Sequence, residues 1–360
     1  MYTVLLISNR YPHEDAGRAE KIASRIRLFE ERGWAVEISY VTEPYVPTFP
    51  LAVARTIKRV SETGPDVLIS IVNPFHQHLI GYLASKITGV PWVAEFRDPI
   101  LTHPDWEGGP MKHAAGIVER LTVRNADRVV WLDGIQIPEG YFSETYPDMP
   151  DERLVELPPM GFDADRFETI KPESFEEFTV TYAGSFYDGW IEPYGYLDGL
   201  AAFARTEQPA LQTRFYGDWN DDYATATTER GLDDHVSPYD FVDHDRMISI
   251  LKGSDVLLYV GGVDERNRRN LPSKIWDYLG AGTPILALVD ESFRVASFVE
   301  DNGLGIAVDP GDTQGVADSI RSFYDGTFEY DPDPELFATY TRQHHADVYT
   351  DVLSELLGFG

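Results

Sequence analysis

The sequence contains no cysteine. That absence removes disulfides, thiolate metal sites and a cysteine nucleophile together, and it fits a reducing compartment. Lysine is scarce, with seven residues at positions 21, 58, 86, 112, 171, 252 and 274, so most of the basic residues are arginine. Long apolar runs are missing as well. No segment approaches the roughly 20 apolar residues that cross a bilayer. The opening stretch Tyr2–Ser8 is short and lacks the charged leader of a signal peptide. The chain is therefore expected to stay in the cytoplasm where it is made.

Positive charge is the next deficit: 30 Lys and Arg stand against 60 Asp and Glu, for a net charge of −30. So acidic a surface repels nucleic acid and anionic membranes at low salt, and no nucleic-acid partner is expected. It suits either a partner that favours acidic surfaces or a halophilic adaptation to a salty cytoplasm. We favour the second, because concentrated counter-ions shorten the range of self-repulsion. The run Asp331-Pro-Asp-Pro-Glu335 then reads as solvated surface rather than as a metal site.

What is present suits two domains. A length of 360 residues with 43% hydrophobic composition can bury a core in each of two mid-sized halves. Short apolar runs alternate with helical patterns, as a parallel sheet covered by helices requires. Strands are expected at 4–8, 35–40, 67–72, 92–96, 129–132 and 154–157. A second series follows at 178–183, 211–216, 255–260 and 285–288. Helical patterns fall between them and again over 335–357. The polar stretch 165–177 reads as the linker. The expected domains are residues 1–166, joined by the terminal helix 335–360, and residues 167–334.

In such sheets, ligands sit beyond the carboxyl ends of the strands, so the segments after strands carry the chemistry. The first, Asn9-Arg-Tyr-Pro-His-Glu-Asp-Ala-Gly-Arg-Ala-Glu20, has Gly17 for close backbone approach and Arg18 at the helix start. It does not match G-x-G-x-x-G, which argues against a dinucleotide site. The second, Glu95-Phe-Arg-Asp-Pro99, has two readings. It is a structural salt bridge, or Arg97 faces phosphate or substrate while Asp98 binds a sugar hydroxyl or orients the arginine. The third, Tyr182-Ala-Gly-Ser-Phe186, offers the Gly184 backbone and the Ser185 hydroxyl to a diphosphate.

The fourth segment, Asn270 to Ile285, is the most informative. Ser273 and Lys274 open a short helix, and Asp277 projects one turn later on the face of Ser273. Amides and a lysine there suit phosphate, and a carboxylate suits a diol, while Ile275, Trp276 and Leu279 belong to the core. The histidines suggest no metal centre. His76 and His78 are two apart and point to different faces, and His344 and His345 read as surface.

Taken in order, Ser8–Glu20, Glu95–Pro99, Pro158-Pro-Met-Gly-Phe-Asp163, Tyr182–Phe186 and Leu271–Pro284 resemble the GT-B glycosyltransferases. The likeness is to the group 1 (family 4) type, whose opening runs S-x-x-Y-P-P-x-x-G-G-x-E. It implies an α/β chain of two Rossmann-like domains facing across a cleft, with the C-terminal helix docked on the N-terminal domain. It further implies transfer of a sugar from a nucleotide-sugar donor to a glycan or lipid-linked acceptor. Such work belongs to surface polysaccharide or glycoprotein glycan synthesis, retaining and metal-independent. No cofactor is implied, since the nucleotide sugar is a co-substrate.

By this resemblance Gly17, Arg18, Arg97 and Asp98 form the catalytic side, near the transferred sugar. Gly184 and Ser185 lie on the diphosphate with Ser273 and Lys274, Phe241 lies beside the base, and Asp277 holds the ribose. The chain departs from the pattern at Arg18, where relatives have a second glycine. It departs again at Arg269, where they have the first glutamate of E-x7-E, at Met160 and at Asp188. Lys274, Arg266 or Arg268 must then offset the diphosphate charge. A sugar-nucleotide 2-epimerase and a non-catalytic binding protein are the competing expectations. Arg120, Arg124 and Arg128 are the residues from which a peripheral membrane contact, at the inner face, would be built.

Overall fold

Runs such as Thr3-Val-Leu-Leu-Ile7 and Val256-Leu-Leu-Tyr-Val260 are apolar on both faces, which commits them to sheets covered on both sides. The structure is a computed structural model. It describes residues 1–9, 17–41, 45–72, 75–97, 109–135, 137–207 and 209–359. The chain forms two compact units, one of residues 1–160 with 342–360 and the other of residues 161–341.

The first unit holds six parallel strands: β1 (Tyr2–Ser8), β2 (Trp34–Tyr40), β3 (Val67–Ile71), β4 (Trp92–Phe96), β5 (Arg128–Leu132) and β6 (Leu154–Leu157). Their order is β2-β1-β3-β4-β5-β6, so the direction of chain progress reverses between β1 and β3. The helices are α1 (Gly17–Glu31), α2 (Tyr45–Thr63), α3 (His76–Thr88), α4 (Gly109–Asn125) and α5 (Tyr141–Thr145). The second unit opens with α6 (Ala164–Thr169), then β7 (Phe178–Ala183), α7 (Tyr194–Glu207), β8 (Leu211–Tyr216), α8 (Asp221–Glu229), β9 (Val236–Tyr239) and α9 (His244–Gly253). It continues with β10 (Val256–Gly262), α10 (Ser273–Ala281), β11 (Ile285–Val289), α11 (Arg294–Asp301), β12 (Gly305–Val308), α12 (Thr313–Tyr324) and α13 (Pro334–Thr339). Its sheet runs β12-β11-β10-β7-β8-β9, all parallel, and reverses between β7 and β10. Helix α14 (Arg342–Leu356) returns to the first unit.

Two features differ from the sequence reading. Residues 165–177 do not act as the linker. Phe167 of α6 is buried in the second unit's core, and Glu173 is held by Ser249 O through its N–H at 2.8 Å and by Arg246 at 2.7 Å. The chain instead crosses at Met160/Gly161. The segment 335–357 is likewise two helices. Tyr340 stacks on Trp276 at 5.1 Å and accepts from Phe162 N at 3.1 Å, which holds α13 in the second unit. Only from Arg342 does the chain pack on the first.

Helix α14 is fixed there by apolar and polar contacts. Ala346, Tyr349 and Leu353 are fully buried beside Leu28 and Phe29 of α1. Arg342 pairs with Glu20 at 2.7 Å and Asp347 with Arg32 at 2.6 Å. His345 is buried rather than on the surface, with Nδ1 2.8 Å from Pro158 O. His78 is also a core residue, 2.8 Å from Ser70 Oγ and 4.7 Å from the Phe96 ring. Among the described residues no helix is long and apolar enough to cross a membrane, and no cluster of His, Asp and Glu could hold a metal ion.

Candidate functional site

In the second unit the strand order reverses between β7 and β10, and the carboxyl ends of strands at such a switch point are where open parallel sheets bind ligands. Strand β7 is followed by Gly184, whose φ of +130° is open to glycine and strained for other residues. A Cβ there would stand 3.0 Å from Lys274 Nζ, so the missing side chain is what lets the lysine reach this turn. Lys274 lies in the first turn of α10, 4.4 Å from the centroid of the Tyr182 ring, and its Nζ donates to Tyr182 Oη at 3.2 Å. Tyr182 in turn donates to Ser185 O at 2.8 Å and stacks on Phe186. Ser185 is half-buried beside that turn, and Ser273 is exposed at the start of α10.

Burial pushes the Lys274 ammonium down to about 8. No carboxylate pairs with it among the described residues, so an incoming anion meets a desolvated and uncompensated cation. The other cations proposed for this role are already committed. Arg266 is gripped by both oxygens of Asp264 and lies 4.0 Å from the Trp190 ring. Arg268 reaches Glu265 at 3.3 Å.

Next to Gly184 the β8 strand is followed by Gly217, where a Cβ would stand 2.2 Å from Gly184 O and 3.3 Å from the Phe241 ring. The Phe241 ring is 60% exposed and leaves an aromatic face at this edge uncovered. Tyr239 stacks on Tyr216 at 4.8 Å, and its hydroxyl accepts from Arg214 at 2.9 Å. On α10, Asp277 lies one turn beyond Lys274 on the same face. Its Oδ2 sits 3.3 Å from His244 Nε2, and His244 Nδ1 sits 3.1 Å from Arg166 Nη1.

The second unit therefore brings together Gly184, Ser185, Ser273, Lys274, Asp277 and, at the rim, Phe241. Sequence reasoning missed Tyr182 as the seat of the lysine and His244 as the partner of Asp277. His244 is a lone histidine directly after the cap residue Asp243. No spacing connects it to a residue 33 positions away.

In the first unit, Arg97 follows β4 and donates from Nε to Glu95 at 2.9 Å. Glu95 is fully buried and also receives Arg25 at 2.6 and 3.0 Å and the Tyr349 hydroxyl at 3.0 Å. The two guanidinium groups hold its carboxyl well below the usual carboxylate range despite burial. Glu95, which the sequence reading left without a role, is thus the residue that orients Arg97. Arg97 is 24% exposed, with Met160 Sδ 3.9 Å from Nη2. Asp98 lies outside the described residues, as do residues 10–16 and the side chain of Arg18; Gly17 opens α1. At the opposite, amino end of this sheet a cavity of about 420 Å³ is lined by Lys86, Arg124, Arg128 and Arg153, with Asp127 and Glu152 among them.

No protein-family model matches the chain, and no curated protein matches its sequence. Solved structures match along its whole length. A glycosyltransferase from Rickettsia africae ESF-5 superposes with a TM-score of 0.69 at 12% identity, covering 100% of this chain and 99% of that one. HepE from Anabaena, solved with UDP and glucose, gives 0.64 at 16% identity over 98% of this chain and all of its own. The UDP-GlcNAc 2-epimerase of Methanocaldococcus jannaschii gives 0.57 at 9% identity, covering 99% of this chain and all of the other. The chain has the GT-B fold, which serves both glycosyl transfer and sugar-nucleotide epimerisation in these proteins.

Proposed function

We propose that the chain is a glycosyltransferase whose second unit holds a nucleoside-diphosphate sugar. The observation that carries this reading is Lys274. It is a desolvated lysine, without a carboxylate, set against a side-chain-less turn at the switch point and one helical turn before a carboxylate. The diphosphate would lie on Gly184, Ser185 and the first amides of α10, with Lys274 as its counter-charge. Asp277 would accept the ribose hydroxyls, and Phe241 would stack on the base.

Glycosyl transfer leaves negative charge on the departing diphosphate as the anomeric carbon gains positive character. In this reading Lys274 and the helix amides would stabilise that charge. Arg97, anchored by Glu95, would act on the transferred sugar with Asp98, Gly17 and Arg18. In this reading the protein itself supplies the positive charge, so the reaction is independent of metal and withstands chelators. We further propose a retaining outcome and a glycan or lipid-linked acceptor of the kind used in surface polysaccharide synthesis. The basic cavity would contribute a peripheral contact at the inner face of a salt-rich cell's membrane.

The test is a thermal-shift screen at high salt against UDP, ADP, GDP and their sugar conjugates, followed by product analysis with glycan acceptors. A ligand at about 100 times its Kd adds roughly 2.7 kcal/mol of stability, which is a visible shift. Transfer to an acceptor supports the proposal. Interconversion of the free nucleotide sugar without an acceptor would replace it with an epimerase. Binding without turnover would leave a sugar-nucleotide-binding protein.

A further inference from the structure

We infer that His244 is a positioning residue. Its own fixed tautomer holds the carboxylate with which Asp277 reads a vicinal diol, and so sets discrimination between ribose and 2′-deoxyribose nucleotides. The inference rests on the nucleotide reading above and extends it to a residue outside that reading.

A guanidinium has donors and no acceptor. Arg166 Nη1 stands 3.1 Å from His244 Nδ1, so Nδ1 must accept and the ring proton must sit on Nε2. Nε2–H then donates to Asp277 Oδ2 at 3.3 Å. Arg166 is itself held by Asp245, with Nε and Nη2 each 2.8 Å from Oδ1. The result is a chain of four polar side chains, Asp245–Arg166–His244–Asp277, that ties α6, α9 and α10 together.

This chain does two things at Asp277. It fixes the carboxylate about its last rotatable bond, which is otherwise broad. It also occupies one direction of Oδ2 and leaves Oδ1 open, since the Asp277 side chain makes no other hydrogen bond among the described residues. With the Nε2–H donor facing it, Asp277 acts as the acceptor of the pair. Asp277 and His244 are 28% and 27% exposed, so the pair lies at an open edge that a ligand can reach. A vicinal diol offers two donors to a carboxylate, and a fixed carboxylate accepts both while a rotating one loses part of that preference.

The experiment measures affinities of the full chain for UDP, ADP and GDP, each beside its 2′-deoxy counterpart, by calorimetry at high salt. The wild type should prefer the ribo form by about tenfold or more, since loss of a hydrogen bond to a charged group is worth that much. Asp277→Asn should bring the ratio close to one. His244→Phe should lower it to about threefold or less, and His244→Gln, whose amide can donate as Nε2–H does, should recover most of it. A structural role alone would change melting temperature without changing this ratio or its rescue.

A His244→Phe variant that discriminates as well as the wild type overturns the inference, while leaving the nucleotide site intact. If that variant does not fold, Arg166→Met makes the same test with the ring in place. It removes the donor that fixes the tautomer and must also lower the ratio. Failure of the wild type to bind any of the six nucleotides would instead overturn the functional reading, and this inference with it.

Discussion

Glu95→Gln should be the most damaging single change in the first unit that leaves side-chain size unaltered. The carboxylate is fully buried and receives Arg25 twice, Arg97 once and the Tyr349 hydroxyl, at 2.6 to 3.0 Å. Gln keeps the shape but removes the charge, and it turns an amide N–H₂ toward a guanidinium N–H that can only donate. The Arg25 side chain is 2% exposed and would lose its only short-range counter-charge among the described residues. Removing one partner of a buried pair costs about 3–5 kcal/mol, because the other charge stays behind. For a unit of 179 residues, 160 from the first segment and 19 from the second, each kcal/mol moves Tm by about 2–4 °C. The expected fall is therefore roughly 6–20 °C.

Tyr349→Phe removes only a hydrogen bond to a charged acceptor and should cost about 1.5–3 kcal/mol. Urea unfolding followed by tryptophan fluorescence, with calorimetry for Tm, measures both. A loss below about 1 kcal/mol for Glu95→Gln would refute the view that Glu95 carries Arg25 as a buried ion.

Three further outcomes follow from the same kind of reasoning. His78 and His345 are pushed down by burial, to about 3 and about 4, whereas in the unfolded chain both titrate near 6.5. Above pH 6.5 neither state binds the proton. As pH falls toward 4 only the unfolded state does, so each histidine removes up to about 3 kcal/mol of stability across that window; urea midpoints that stay flat from pH 7 to 4.5 would contradict this. Lys274 loses its proton near pH 8, and a bound anion favours the charged form. Nucleoside-diphosphate affinity should therefore weaken by up to about tenfold per unit above pH 8, and constant affinity to pH 9.5 by calorimetry would remove Lys274 from the anion site. The net charge of −30 should make Tm rise with added KCl up to molar concentrations; equal stability in dilute buffer would count against saline adaptation.

The strands were legible because their runs leave no choice of face. Val67-Leu-Ile-Ser-Ile71 and Ile285-Leu-Ala-Leu-Val289 are buried at every position. The Gly184 and Lys274 segments were legible as candidates because they follow strands or open helices, where a parallel sheet presents its backbone groups. Other parts were hidden for physical reasons. Helix α12 buries Val316, Ala317, Ile320 and Phe323 on one face, but Gly315 in its first turn weakens the local signal. The break between α13 and α14 at Tyr340 and Thr341 contains neither proline nor glycine, and it exists because Tyr340 packs on Trp276. The polar composition of residues 165–177 resembled a linker, yet Phe167, Ile170 and Glu173 anchor that stretch to the second unit. His345 looked like surface because Arg342-Gln-His-His-Ala-Asp347 is polar nearly throughout. Its burial comes from the carbonyl of Pro158, 187 positions away.

Helix α14 completes the first unit with side chains that follow the entire second unit in the chain. A ribosome synthesises the 181 residues from 161 to 341 between the last strand of the first unit and the helix that covers it. At about 5–20 residues per second that interval is roughly 10–35 s. During it the site of Tyr349 beside Glu95 and Arg25 is open to water, and the face of α1 that α14 covers is bare. The second unit, contiguous in sequence, can close first. The nascent protein therefore matures in the reverse of its order of synthesis, and its earliest residues are the last to be sealed. With apolar surface exposed in that interval, this is when a chaperone would be needed.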